Sequence, residues 1–104
     1  MSIHKKYLKG KKVCRATFKL EANKVNTPEK VFVVGDFNDW NEESTPMKKL
    51  KDGSFSISID FPLHTIYQFR YLIDGSHWEN DDAADNYEQS PWGSYNSVII
   101  IESE

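Results

Sequence analysis

Apolar and polar residues alternate along most of this chain with a period of two, and the alternation divides it into short strands. Across Val13–Leu20, the apolar Cys14, Ala16, Phe18 and Leu20 are spaced by Arg15, Thr17 and Lys19, which predicts a strand with one buried face. Turn-forming residues follow over 23–28, and residues 31–34 are a β-branched and aromatic run suited to burial on both faces that ends at Gly35. Residues 47–51 and 54–61 flank Asp52-Gly53, which predicts a hairpin with a type I′ turn. In its second strand Phe55, Ile57, Ile59 and Phe61 share one face, the serines and Asp60 share the other, and Pro62 closes it. Tyr67, Phe69, Tyr71 and Ile73 alternate with Gln68, Arg70 and Leu72, and Asp74-Gly75 turns the chain into a short strand around His77 and Trp78. Residues 80–96 read as an acidic loop interrupted by Tyr87, Trp92 and Tyr95, ahead of a terminal strand over 98–101. No stretch has helical periodicity. About seven short strands separated by turns predict an all-β fold, an immunoglobulin-like antiparallel sandwich.

At 104 residues the chain is long enough for one hydrophobic core and too short for two. Residues 13–104 are therefore read as a single domain, preceded by a basic arm over 1–12. In that arm His4, Lys5, Lys6, Lys9, Lys11 and Lys12 crowd together, and it is read as solvated and loosely held. A net charge of −3 excludes a general basic footprint for DNA or RNA. Cys14 is the only cysteine, so no intrachain disulfide forms, and a reducing, cytoplasmic setting is expected. The start of the chain has no apolar core of a signal peptide, and no run reaches membrane-spanning length, so neither export by that route nor insertion is expected.

Aromatic residues make up 13% of the chain, and its three tryptophans all lie outside the alternating core patterns. They stand in Asp39-Trp40-Asn41, His77-Trp78-Glu79 and Pro91-Trp92-Gly93, which are polar, turn-rich contexts. Large apolar rings carried on loops point to a surface task. Sugars offer C–H faces that pack on aromatic rings and hydroxyl edges that need directed donors and acceptors. The competing reading of each ring is an inward-folded lid on one end of the sandwich. For Arg70, on the outward face of its strand, the competing reading is a cross-strand ion pair.

Three ordered motifs also carry a resemblance. They are Gly35-Asp36-Phe37-Asn38-Asp39-Trp40, then Phe69-Arg70-Tyr71-Leu72-Ile73-Asp74-Gly75 with Trp78 just beyond, and Trp92-Gly93-Ser94-Tyr95-Asn96. Together, over residues 13–102, the chain resembles the glycogen-binding early-set domains. These stand at the N-terminus of isoamylases and branching enzymes and in the β subunit of the AMP-activated protein kinase. The resemblance implies that Trp40 and Trp78 stack on glucose units and that Arg70, where the kinase subunits have lysine, hydrogen-bonds the sugar. It implies further that the last loop offers Trp92 to the curl of the glucan, with Ser94 and Asn96 beside it. Tryptophan replaces an aliphatic residue at position 92 and serine replaces threonine at 94, so the preferred glucan shape stays open. An exposed Trp92 favours stacking along a chain over insertion into a ring.

The function expected is non-catalytic binding of α-1,4-linked glucans, that is glycogen, starch and maltooligosaccharides. The alternative is an interaction or regulatory scaffold for a glycogen-metabolising enzyme or kinase, with glucan binding lost. As the chain stops at Glu104 without a catalytic barrel, any enzyme served is expected on a separate polypeptide or to have been cut away. The carboxylates Asp36, Asp39, Glu42 and Glu43, and the group Asp81, Asp82, Asp85 and Glu88, lie in turns of a domain too small to enclose a cleft, so no catalytic residue is assigned. His4, His64 and His77 lack metal-ligand spacing, and the acids after Asn80, lacking the EF-hand pattern, are read as solvated. No metal or cofactor is expected.

Overall fold

The computed structural model describes residues 1–21 and 28–102, so most of the turn expected over 23–28 lies outside the described residues. The described residues form nine strands: β1 (Ser2–Leu8), β2 (Val13–Leu20), β3 (Val31–Gly35), β4 (Lys48–Lys49), β5 (Phe55–Pro62), β6 (Thr65–Ile73), β7 (His77–Glu79), β8 (Asn86–Gln89) and β9 (Tyr95–Ile101). A 3-10 turn spans Asp36–Asn38, and the described residues contain no α-helix, hence none long and apolar enough to cross a membrane.

The strands build two antiparallel sheets. One has the order β1-β2-β5-β4. The other runs β3-β6-β9-β8, with β7 also paired to β6. Strand β6 organises the second sheet: β3 takes one of its edges, and the opposite edge is shared between β9 over residues 65–69 and β7 over 71–73. The alternation predicted for each strand places its apolar face between the sheets. Cys14, Ala16 and Phe18 of β2 and Phe55 and Phe61 of β5 meet Val31, Val33, Phe69, Tyr71, Ile99 and Ile101 from the other sheet. Burying a large apolar side chain stabilises the fold by about 1.5–3 kcal/mol, so this two-sided cluster is the main source of stability.

The all-β sandwich agrees with the expected class, and it holds two strands more than the pattern predicts. The first lies in the arm expected to be loose: β1 pairs with β2 along its whole length, from Ser2 opposite Lys19 to Leu8 opposite Val13. Its inward positions are Ile3, Lys5 and Tyr7, and the central lysine masks the alternation. Ile3 and Tyr7 pack on the core, while Lys5 Nζ reaches Asp85 Oδ2 at 2.6 Å across the sandwich. The second extra strand is β8, within residues 80–96 read as loop; its sequence Asn-Tyr-Glu-Gln is exposed at every position and has no apolar period.

Turn types also differ from expectation. Near Asp52-Gly53 only Gly53 has a positive φ, 88°. Its N–H donates to Leu50 O at 3.0 Å, and Leu50 N–H donates to Ser54 O at 2.7 Å, which makes a three-residue loop in place of a type I′ turn. The type I′ geometry falls at Asp74-Gly75, with φ of 51° and 76°. There the Asp74 carboxylate accepts the backbone N–H groups of Lys30 and Glu29, and these bonds hold its pKa below the usual value.

Candidate functional site

The site begins at Gly35, the last residue of β3. A Cβ there would lie 2.4 Å from Gln68 O and 2.7 Å from Phe69 Cβ, so only glycine lets β3 approach β6 this closely. The chain then makes its 3-10 turn, from which Phe37 points into the sandwich. Its ring packs edge-on against Phe61 at 5.4 Å and Tyr67 at 6.0 Å. Asn38 ties the turn down: its Oδ1 accepts Gly35 N–H, and its Nδ2 donates to Val33 O and Thr45 Oγ1. Phe37 therefore closes this end of the core, and Trp40, three residues on, is directed elsewhere. The tryptophan is half-buried, and its indole N–H donates to Asp36 Oδ1 at 2.9 Å.

The outward face of β6 supplies Gln68 and Arg70. Beside it β7 carries Trp78, 38% exposed, opposite Leu72. The β8–β9 loop is held by Ser90, whose N–H donates to Ser94 O and whose carbonyl accepts Gly93 N–H, with Gly93 at φ 88°. This turn presents Trp92, 90% exposed. Asn96 follows on β9.

These elements converge. Trp40, Arg70, Trp78, Trp92, Ser94 and Asn96, all six residues expected from the sequence, line one open groove of about 530 Å³. None of the three tryptophans belongs to the core cluster, so the inward-lid reading does not describe them. Arg70 makes no ion pair among the described residues; its Nε donates to Asn96 Oδ1 and its Nη2 to Ser94 Oγ, each at 2.5 Å. Two bonds from neighbouring strand and loop fix the plane of the guanidinium. Asn96 Nδ2 in turn donates to Gln68 Oε1 at 2.9 Å, and Ser94 Oγ lies 3.1 Å from Ser90 Oγ.

The groove also includes Asp36, Glu42, Gln68, Ser90 and Pro91, which the sequence reading did not assign to it. Gln68 was within reach, since it shares the outward parity of Arg70. Asp36 stands in the Gly35–Trp40 motif and among the carboxylates of that turn, with no binding role assigned to it from the sequence. Three ring faces, one oriented cation, and amide, hydroxyl and carboxylate groups at the edges make a surface that can stack flat apolar faces and bond hydroxyls around their rims.

Among the acids after Asn80, Asp81 departs from the solvated reading while Asp82, Asp85 and Glu88 are exposed. Asp81 is fully buried. Its carboxylate accepts Tyr71 OH at 2.5 Å and Ala83 N–H at 2.7 Å, and its own N–H donates to Ser97 Oγ at 2.8 Å. It is a structural tie with its bonds satisfied inside the protein, because an unpaired buried carboxylate would be costly. Among the described residues no three His, Cys, Asp or Glu side chains are grouped to hold a metal ion.

No curated protein matches the chain. The family described as the glycogen recognition site of AMP-activated protein kinase matches residues 18–104, a span that contains every residue of the groove, and the chain belongs to that family.

Proposed function

We propose that the groove binds α-1,4-linked glucan chains, as glycogen, starch or maltooligosaccharides, and that it performs no chemistry on them. The observation that carries this reading is the meeting of Trp40, Trp78 and Trp92 around a single bonded arginine. Glucose units stack on the rings of Trp40 and Trp78, and Trp92, standing out at the rim, takes a further unit along the chain. Arg70 donates to hydroxyls from the edge of its guanidinium. Ser94 and Asn96 hold that edge in place and border the same hydroxyls.

An open surface encloses little of its ligand, so the dissociation constant for a short oligosaccharide is about 10 μM to 1 mM. A polymer with many overlapping sites binds more tightly. The reading extends to a glycogen-metabolising enzyme or kinase as a separate partner, and to a reducing, cytoplasmic setting, which suits a lone buried Cys14.

Co-sedimentation with glycogen tests the proposal. The wild-type chain is expected in the glycogen pellet, and Trp78→Ala and Arg70→Ala are each expected to weaken binding about tenfold, the loss of one stacking or charge-assisted contact. Equal sedimentation of all three proteins, or no sedimentation of the wild type, would remove glucan from the groove and favour a protein-interaction surface there.

A further inference from the structure

Asp36 faces two donors at once. Its Oδ1 accepts the indole N–H of Trp40 at 2.9 Å, and its Oδ2 accepts the backbone N–H of Gln68 at 2.7 Å. The first bond fixes a ring, and the second ties the carboxylate to β6. Trp40 has a φ of 56°, directly after Asp39, also at 56°. A left-handed backbone is unfavourable for a residue with a Cβ, so two in succession persist only where the surroundings over-determine them. The surroundings here are the bonds from Trp40 N–H to Gly35 O and from Asn41 N–H to Asn38 O, together with the Asp36 carboxylate. Gln68 carries the tie onward, because its Oε1 accepts from Asn96, which accepts from Arg70. One line of hydrogen bonds thus runs along the groove from Trp40 to the guanidinium.

A large side chain on a loop, left without such a bond, must be ordered when ligand arrives, and that ordering weakens binding. We infer that Asp36 is a positioning residue of the groove. It sets the Trp40 ring in place before ligand binds and, by occupying the indole N–H, leaves the ring face as what Trp40 offers a sugar. The effect on affinity rests on the glucan-binding reading; the lock on the ring does not.

The test uses the whole chain, with maltoheptaose affinity and the solvent exchange of the Trp40 indole hydrogen, followed by NMR, as its two readouts. Asp36→Ala is expected to weaken binding about tenfold. Trp40→Phe keeps a ring and removes the indole N–H, so adding Asp36→Ala to it should cost clearly less than the same substitution costs in the wild type. Asp36→Asn, which keeps an acceptor for one of the two donors, should fall between wild type and Asp36→Ala, and it replaces Asp36→Ala in the cycle if the alanine variant does not fold. Asp36→Ala within twofold of wild type, or Asp36→Asn equal to wild type where it stands in for the alanine, would overturn the inference, as would the same loss in the Trp40→Phe background. Failure of the glucan reading looks different, since the wild type would then not bind maltoheptaose. In that case slow exchange of the indole hydrogen that becomes fast in Asp36→Ala upholds the lock, and fast exchange in the wild type refutes it.

Discussion

A methyl group added at Gly35 would meet Gln68 O at 2.4 Å, Phe69 Cβ at 2.7 Å and Phe37 Cε1 at 3.0 Å. Two of these are main-chain or Cβ positions that move only with their strand, so Gly35→Ala must push β3 away from β6 and displace the turn that carries Phe37 and Trp40. The expected cost is about 3 kcal/mol of unfolding free energy, at the upper end for overpacking, read from a denaturant melt. A melt indistinguishable from wild type would show that the close approach is not needed. The glycine was visible in the sequence only as the end of a strand and the start of a motif; its reason lies in the partner strand. The same holds for Trp40 and Phe37. Composition places both in one polar turn, and only the packing of Phe37 on Phe61 and Tyr67 decides which ring goes inward.

Elements were legible where one face is uniformly apolar. Strand β2 has the bounds its alternation predicts, and β6 differs by two residues at its start. Strands β1 and β8 were missed because neither has a clean apolar period: on β1 the inward Lys5 stands between Ile3 and Tyr7, and on β8 every position is exposed. Lys5 inward on β1 reads as a surface lysine until Asp85 is seen opposite it. The segment joining β7 to β8 is of the same kind. Asn80 donates to Tyr95 O and accepts from Ser97 Oγ, while Asp81 receives Tyr71 OH, so a stretch read as acidic loop fastens β6, β7 and β9 together behind Trp78 and Asn96. Burial, and then the charge of Asp81, push the Tyr71 hydroxyl pKa well above its usual value. Because the folded-state value is raised, the associated stability is fully present below the unfolded value near 10 and falls as pH rises beyond it, by about 1.4 kcal/mol per pH unit. Urea melts between pH 9 and 11 should show this decline in the wild type and lose that part of it in Tyr71→Phe. Identical slopes in the two proteins would mean that Tyr71 ionises as readily folded as unfolded.

Across the whole molecule, the two sheets have different outer faces. The outer face of the β1-β2-β5-β4 sheet is charged and hydroxylated, with Arg15 paired to Asp60 and Thr17 to Ser58. The other sheet carries Gln68, Arg70 and Asn96 outward, with Trp40, Trp78 and Trp92 gathered around them from a turn, a short strand and a loop. Convergence of residues 40, 70, 78, 92, 94 and 96 depends on which edge of β6 each neighbour occupies, and strand order of that kind is not written in any local pattern. The resemblance of three motifs named these residues, and the strand order explains how they meet. All three tryptophans line the groove, so their combined fluorescence reports on it with no distant ring to dilute the signal. Titration of the intact chain with maltoheptaose and β-cyclodextrin, with cellohexaose as the β-linked control, should give a saturable change with the α-linked sugars only. No change at millimolar α-linked sugar, or an equal change with cellohexaose, would contradict an α-glucan site.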